Sequence, residues 1–223
     1  MINLNFDFLD TPLQIEGLTS LTIQDRTVFT KVVQETYRYS GEDDYLHFFD
    51  DNYRVIKPVE MMLINDILGF DVNSAPTLKL IYKDIENQIN HQPEKKTLIE
   101  QHLNAATEII QNELLDFEID MVSDEIDVDE ALKVLGVKIE IATDTMFERL
   151  FEIIQVFKYL RTKKLLVLIN AGIYFSEQEL TSLEQYAELQ NIALLMIDNQ
   201  KLTGIQSRYF LDGDYVLIRE FMV

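Results

Sequence analysis

No cysteine occurs anywhere in the 223 residues, so disulfides, thiolate zinc sites and cysteine nucleophiles are all excluded. Glycine and proline are scarce at seven and four residues, which leaves little room for long flexible loops. The opening MINLNFDFLD carries acid where a secretory signal would carry base. No apolar run reaches the roughly 20 residues of a membrane-spanning helix. Neither G-x-x-x-x-G-K-[ST] nor G-x-S-x-G is present, so neither a phosphate-cradling loop nor a nucleophile elbow is indicated. The three histidines, His47, His91 and His102, are dispersed and suit surface or cap positions better than a metal. A soluble protein of a reducing cytoplasm is the expectation.

What is present is acid. Thirty-nine Asp and Glu against 19 Lys and Arg give a formal charge of −20. Taken alone this opposes nucleic-acid binding, because a phosphate backbone is held by cations. Two routes around the opposition exist: segregation of charge beyond a screening length of roughly 8 Å, or neutralisation by a divalent cation. At 47% apolar and 26% charged residues, the chain is otherwise of ordinary globular composition.

The apolar pattern divides the chain. Ile2, Leu4, Phe6 and Phe8 alternate as in a half-buried strand. Leu18–Ile23, Leu46–Phe49 and Met61–Ile64 are further strand candidates, with Asp25 as N-cap of an intervening helix. After Phe70 the period becomes helical. Leu78, Ile81, Ile85 and Ile89 form one stripe, and Pro93 starts a second helix carrying Leu98, Leu103, Ala106 and Ile110. A third helix is predicted from Asp127 to Gly136. A fourth runs from Asp144 to about Arg161, with Thr145 and Glu148 as capping box and apolar residues on more than one face. Leu165–Ile169, a helix capped by Ser176 and Glu179, Ile192–Ile197 and Tyr215–Ile218 complete a β–α–β order with nearly all-apolar strands, which implies parallel pairing. The predicted architecture is a mostly parallel-sheet α/β head from residues 1–70 and 161–223, with an α-helical domain over 71–160 inserted in it. The strand–turn–helix Leu165–Leu180 has the shape of a nucleotide-binding unit without its phosphate lysine.

Two clusters could carry chemistry. Between Glu113 and Glu130 lie nine carboxylates and no Lys or Arg. Hard oxygen donors in such number suit calcium, although the Gly of an EF-hand loop is missing; a solvated acidic loop is the alternative reading. The same acids could serve a magnesium-dependent nuclease, but no nuclease motif and no general base stand out. Lys133, Lys138, Arg149, Lys158, Arg161, Lys163 and Lys164 are grouped on or near the ends of the third and fourth helices, where the helix dipole alone favours cations.

Six stretches, MINLNFDFLD, MMLINDILGFDVNS from Met61, DEIDVDEALKVLGVKIE from Asp124, DTMFERLFEIIQVFKYL from Asp144, KKLLVLINAG from Lys163 and the ending DGDYVLIREFMV, together resemble the small adaptation proteins of type II-A CRISPR–Cas systems, the second member of the Csn family. The resemblance spans essentially the whole chain. It implies a head like a degenerate P-loop nucleotide-binding fold, an extended helical arm ordered by calcium, and a homotetrameric ring. It further implies sequence-independent binding of double-stranded DNA ends without catalysis or nucleotide, in concert with the CRISPR integrase subunits and effector nuclease during spacer acquisition. Carried over by position, the metal ligands are expected at Glu118, Asp120, Asp124, Glu125 and Glu130. The DNA contacts are expected at Lys133, Lys138, Lys158, Lys163 and Lys164. A metal-dependent nuclease and a calcium-responsive protein-interaction module that never touches DNA are the rival readings.

Overall fold

Runs of branched and aromatic residues become strands, and they sort into two sheets. The computed structural model describes residues 1–141, 145–160 and 162–220. In chain order its strands are β1 (Ile2–Phe6), β2 (Leu13–Ile15), β3 (Leu18–Ile23), β4 (Leu46–Asp50), β5 (Met61–Ile64), β6 (Leu165–Ile169), β7 (Ala193–Asp198), β8 (Ser207–Leu211) and β9 (Leu217–Glu220). The helices are α1 (Arg26–Arg38), α2 (Ala75–Asn90), α3 (Pro93–Leu114), α4 (Val128–Val134), α5 (Met146–Tyr159) and α6 (Glu177–Leu189). Two compact units result: Met1–Phe70 with Thr143–Val223, and Asp71–Ala142.

The first unit is a mixed α/β structure. Its main sheet has the order β5-β6-β7-β3-β8-β9, parallel throughout except for the last pair. Strands β2, β1 and β4 make a separate antiparallel sheet. One core joins the two: Leu21, Ile23, Val167 and Leu195 of the main sheet, Val28 and Val32 of α1, and Leu4, Phe6 and Phe48 of the small sheet are all buried in it. The parallel pairing predicted from the apolar strands is found, with Leu165 opposite Ala193 and Leu18 opposite Leu194. Asp25 caps α1 as predicted, its Oδ1 accepting from the amides of Thr27 and Val28 at 2.8 and 2.9 Å.

The second unit is helical. Tyr82 of α2 donates its hydroxyl to the Val137 carbonyl at 2.6 Å. Asn73 clasps the Ile139 backbone at both ends, donating at 3.0 Å and accepting at 2.8 Å. Pro93 starts α3, Asp127 caps α4, and Gly136 follows α4 with φ +66°.

The predicted boundary at residue 160 is corrected. Helix α5 lies in the first unit because Leu150, Ile153, Ile154, Val156 and Phe157 are buried there, and Arg149 donates to the Phe70 carbonyl at 2.6 Å. Its capping box of Thr145 and Glu148 is present, whereas Asp144 and Arg161 lie outside the described residues. The predicted last strand, Tyr215–Ile218, is shifted to Leu217–Glu220, because Asp212 closes a turn by accepting from the Asp214 and Val216 amides at 3.0 and 2.9 Å.

Candidate functional site

Three of the five predicted DNA lysines converge. Lys163 and Lys164 immediately precede β6, and Lys158 lies in the last turn of α5. All three line a cleft of about 990 Å³ within the first unit, at the amino-terminal edge of the parallel sheet, where Ala193 begins β7 and Gly17 precedes β3. Each lysine is already engaged. Lys158 donates to the side-chain oxygen of Gln190. Lys163 donates to the Met61 carbonyl at 2.7 Å, and its burial holds the ammonium pKa below the ordinary lysine value. Lys164 pairs with Glu60 at 2.6 Å, and that hydrogen bond, with the Lys57 amide, holds the Glu60 carboxyl below the ordinary range.

Carboxylates share the same cleft. Glu16, Asp50, Asp51 and Glu188 line it alongside the three lysines. Asp50 accepts from the amides of Asn52 and Arg54 at 2.8 and 3.0 Å, and these bonds hold its pKa down. The cleft is therefore an ion-paired surface and not a uniformly basic one. An incoming phosphate must exchange with Glu60 or Gln190 for its lysine, which limits affinity per contact and leaves specificity to geometry. Sequence reasoning missed Glu60 and Gln190 as lysine partners and Asp50 as a carboxylate of the same cleft, because each is distant in sequence from the lysines it meets there.

Lys133 and Lys138 belong to the helical unit. Lys133 is exposed and bonded to Asp129 one turn away, which raises its pKa. Lys138 is exposed.

The predicted metal ligands are not gathered. Glu118, Asp120, Asp124 and Glu125 lie in the irregular, exposed stretch between α3 and α4. Glu130 turns back to its own helix start, accepting from the Asp127 amide at 3.3 Å while Asp127 accepts from the Glu130 amide at 2.7 Å. Among the described residues, no group of three Asp, Glu or His side chains could hold an ion as placed. The donors fit calcium in kind, being hard and anionic, and four of the five, all but Glu130, sit on backbone free of helix or strand. Their present arrangement does not supply the six to eight oxygens that calcium takes.

The strand–turn–helix after β6 also departs from a phosphate site. Ser176 caps α6, and the Glu179 carboxylate returns to the Ser176 amide at 2.7 Å. A carboxylate thus already occupies the helix N-terminus that would attract an anion.

Comparison with known proteins places these observations. The family model described as CRISPR-associated protein (Cas_Csn2) matches residues 38–215. A CRISPR-associated protein Csn2 of Streptococcus agalactiae is 46% identical over 223 residues, covering 100% of both chains. Another from Enterococcus faecalis is 42% identical over 219 residues, covering 98% of this chain and 99% of that one. Among solved structures, the crystal structure of Stu0660 of Streptococcus thermophilus superposes with a TM-score of 0.55 at 14% identity. It covers 100% of this chain and 76% of that one, and supports the fold alone.

Proposed function

The chain belongs to the Cas_Csn2 family of CRISPR-associated proteins, and from that membership we propose a non-catalytic protein of the cytoplasm that binds double-stranded DNA ends without sequence preference during spacer acquisition. Its working form in this reading is a homotetrameric ring acting beside the integrase subunits and effector nuclease. The observation that carries the DNA reading is the convergence of Lys158, Lys163 and Lys164 on one cleft of the α/β unit. Three ammonium groups at one edge can follow a phosphate backbone. They read no base, since contacts of this kind position a duplex without reporting its sequence. The head is read as a degenerate nucleotide-binding fold in which Glu179 stands at the anion position of α6.

Calcium is the proposed ligand of Glu118, Asp120, Asp124 and Glu125, with Glu130 joining if it leaves its cap. When bound, the ion supplies charge neutralisation and a fixed meeting point for those oxygens. The chain's own contribution is an irregular acidic segment with few internal hydrogen bonds to break. Self-association is supported by the apolar side chains that the helical unit leaves exposed, among them Ile109, Ile110, Leu115, Phe117 and Val122. No helix among the described residues is long and apolar enough to cross a membrane.

The direct experiment is fluorescence anisotropy with a linear duplex and a covalently closed circle, each with and without calcium. Lys158→Ala together with Lys164→Ala is expected to weaken binding of the linear duplex at least about tenfold. The same pair should reduce the log–log salt slope by about 2, near 0.9 per lost phosphate contact. Equal affinity for the closed circle removes the end preference. An unchanged slope in the double variant moves the DNA away from this cleft.

A further inference from the structure

The connection from β7 to β8 bypasses β3 and is held down by buried polar groups. Its first part is fixed by Asn199, which donates to the Ile23 carbonyl at 2.8 Å, and by Thr22, whose hydroxyl donates to the Gln200 carbonyl at 3.4 Å. Its second part runs along α6: Thr181 donates to the Gly204 carbonyl at 3.0 Å, and Glu184 accepts from the Gln206 amide at 2.6 Å. At the head of the connection stands Asp198, fully buried, with Oδ1 accepting from the Gly172 amide at 3.1 Å.

The second oxygen, Asp198 Oδ2, has no hydrogen-bond partner. Neither have Ser20 Oγ and Arg208 Nε, and register places these groups on one sheet face. Ser20 lies opposite Arg208 across β3 and β8, and Thr22, two residues on, lies opposite Asp198 across β3 and β7. An unpartnered oxygen on a fully buried carboxyl costs roughly 1–3 kcal/mol or more, so this end of the face, a buried seam, favours a neutral acid or admitted water.

We propose that Asp198 is a proton-operated latch on the connection 199–206: neutral, it lets the seam close dry, and ionised, it draws water beneath the connection and frees it to open. Burial pushes this carboxyl up to about 6, and the Gly172 amide offsets only part of that. Charged groups stand on the elements around it. On α6, Glu184 is likewise raised by burial and is lowered in part by Arg208 of β8, while Glu177 is exposed. Lys201 of the connection pairs with Glu220 of β9 at 2.6 Å. From α1, Arg26 lines a shallow cleft with Asn199, and β3 presents only hydroxyls to the seam.

Amide hydrogen exchange on the full chain tests the latch. An acid at about 6 when closed and 3.8 when open requires protection at Gly172 and over 199–206 to fall about tenfold from pH 5 to pH 7, after correction for intrinsic exchange. Asp198→Asn should make that protection flat with pH. A wild-type change below about twofold overturns the latch, as does a slope that survives in Asp198→Asn. A slope abolished only by Glu184→Gln overturns it too, by assigning the proton elsewhere. If Asp198→Asn fails to fold, the wild-type midpoint decides: near 6 it supports the latch, and near 4 it refutes it.

Discussion

Glycines separate two effects that a sequence cannot distinguish, backbone conformation and close approach. Gly17 and Gly204 both have positive φ, +58° and +81°. A Cβ on Gly17 would meet the Glu188 side chain at Cγ, 3.1 Å away, whereas on Gly204 it would meet the Glu177 carbonyl at 2.4 Å. Gly213 has open space and no such φ. Urea denaturation should therefore rank three variants. Gly213→Ala should be neutral within about 0.5 kcal/mol; Gly17→Ala should lose about 1–2 kcal/mol from the left-handed backbone; Gly204→Ala should lose about 2–4 kcal/mol once overpacking is added. Equal losses at Gly17 and Gly204 would show that the Glu177 contact is not rigid. Residue-scale features written in local spacing were legible beforehand: the caps at Asp25, Thr145 and Ser176 each depend on residues two or three apart. Glu130 was legible as an acid but not as a cap partner of Asp127, because the same spacing serves both uses. The weight carried by Asp198 was hidden, since its burial comes from strands distant in sequence.

Among the elements, α5 shows how a correct pattern can carry a wrong boundary. Its apolar residues cover more than one face, and the structure uses both. Leu150, Ile153 and Ile154 are fully buried, while the rings of Phe147 and Phe151 meet edge-on, Phe147 meets Phe175 edge-on and Phe151 meets Tyr186 at a tilt, with centroids 4.8 to 5.9 Å apart. Continuity of helical period through 71–160 suggested one helical domain, yet period reports which face is apolar and not which neighbour covers it. Leu150→Ala should cost about 2–5 kcal/mol, while Tyr159→Ala on the same helix, 67% exposed, should stay within about 0.5 kcal/mol. Thermal melts of the two variants check this, and a small loss at Leu150 would contradict the packing of α5 in the α/β unit. Strands β2 and β8 escaped the sequence reading for different reasons. Leu13–Ile15 is too short to show a period, and Ser207–Leu211 opens on Ser and Arg, which alternate faces and mask its apolar pattern, with Arg208 opposite Ser20.

For the whole molecule, a formal charge of −20 is the quantity any proposed assembly must overcome. Four copies brought together multiply the repulsion, and the carboxylates between Glu113 and Glu130 concentrate it in one exposed stretch. The same stretch carries Leu115, Phe117, Ile119 and Val122, which are 62 to 95% exposed. Apolar side chains interleaved with acids cannot be buried between subunits until the charge is neutralised, so metal binding and association should appear together. Light scattering is expected to show a mass near four chains with calcium and a lower mass in chelator, with backbone protection over 115–127 gained in the same calcium range. Phe117→Ser with Val122→Ser should retain that calcium-dependent protection and lose mass, since it removes apolar contact while leaving every carboxylate. Protection lost along with mass would mean that the acids are ordered by the interface and not by the ion. A mass indifferent to calcium, with 115–127 unprotected throughout, would leave the acidic segment a solvated connection between α3 and α4.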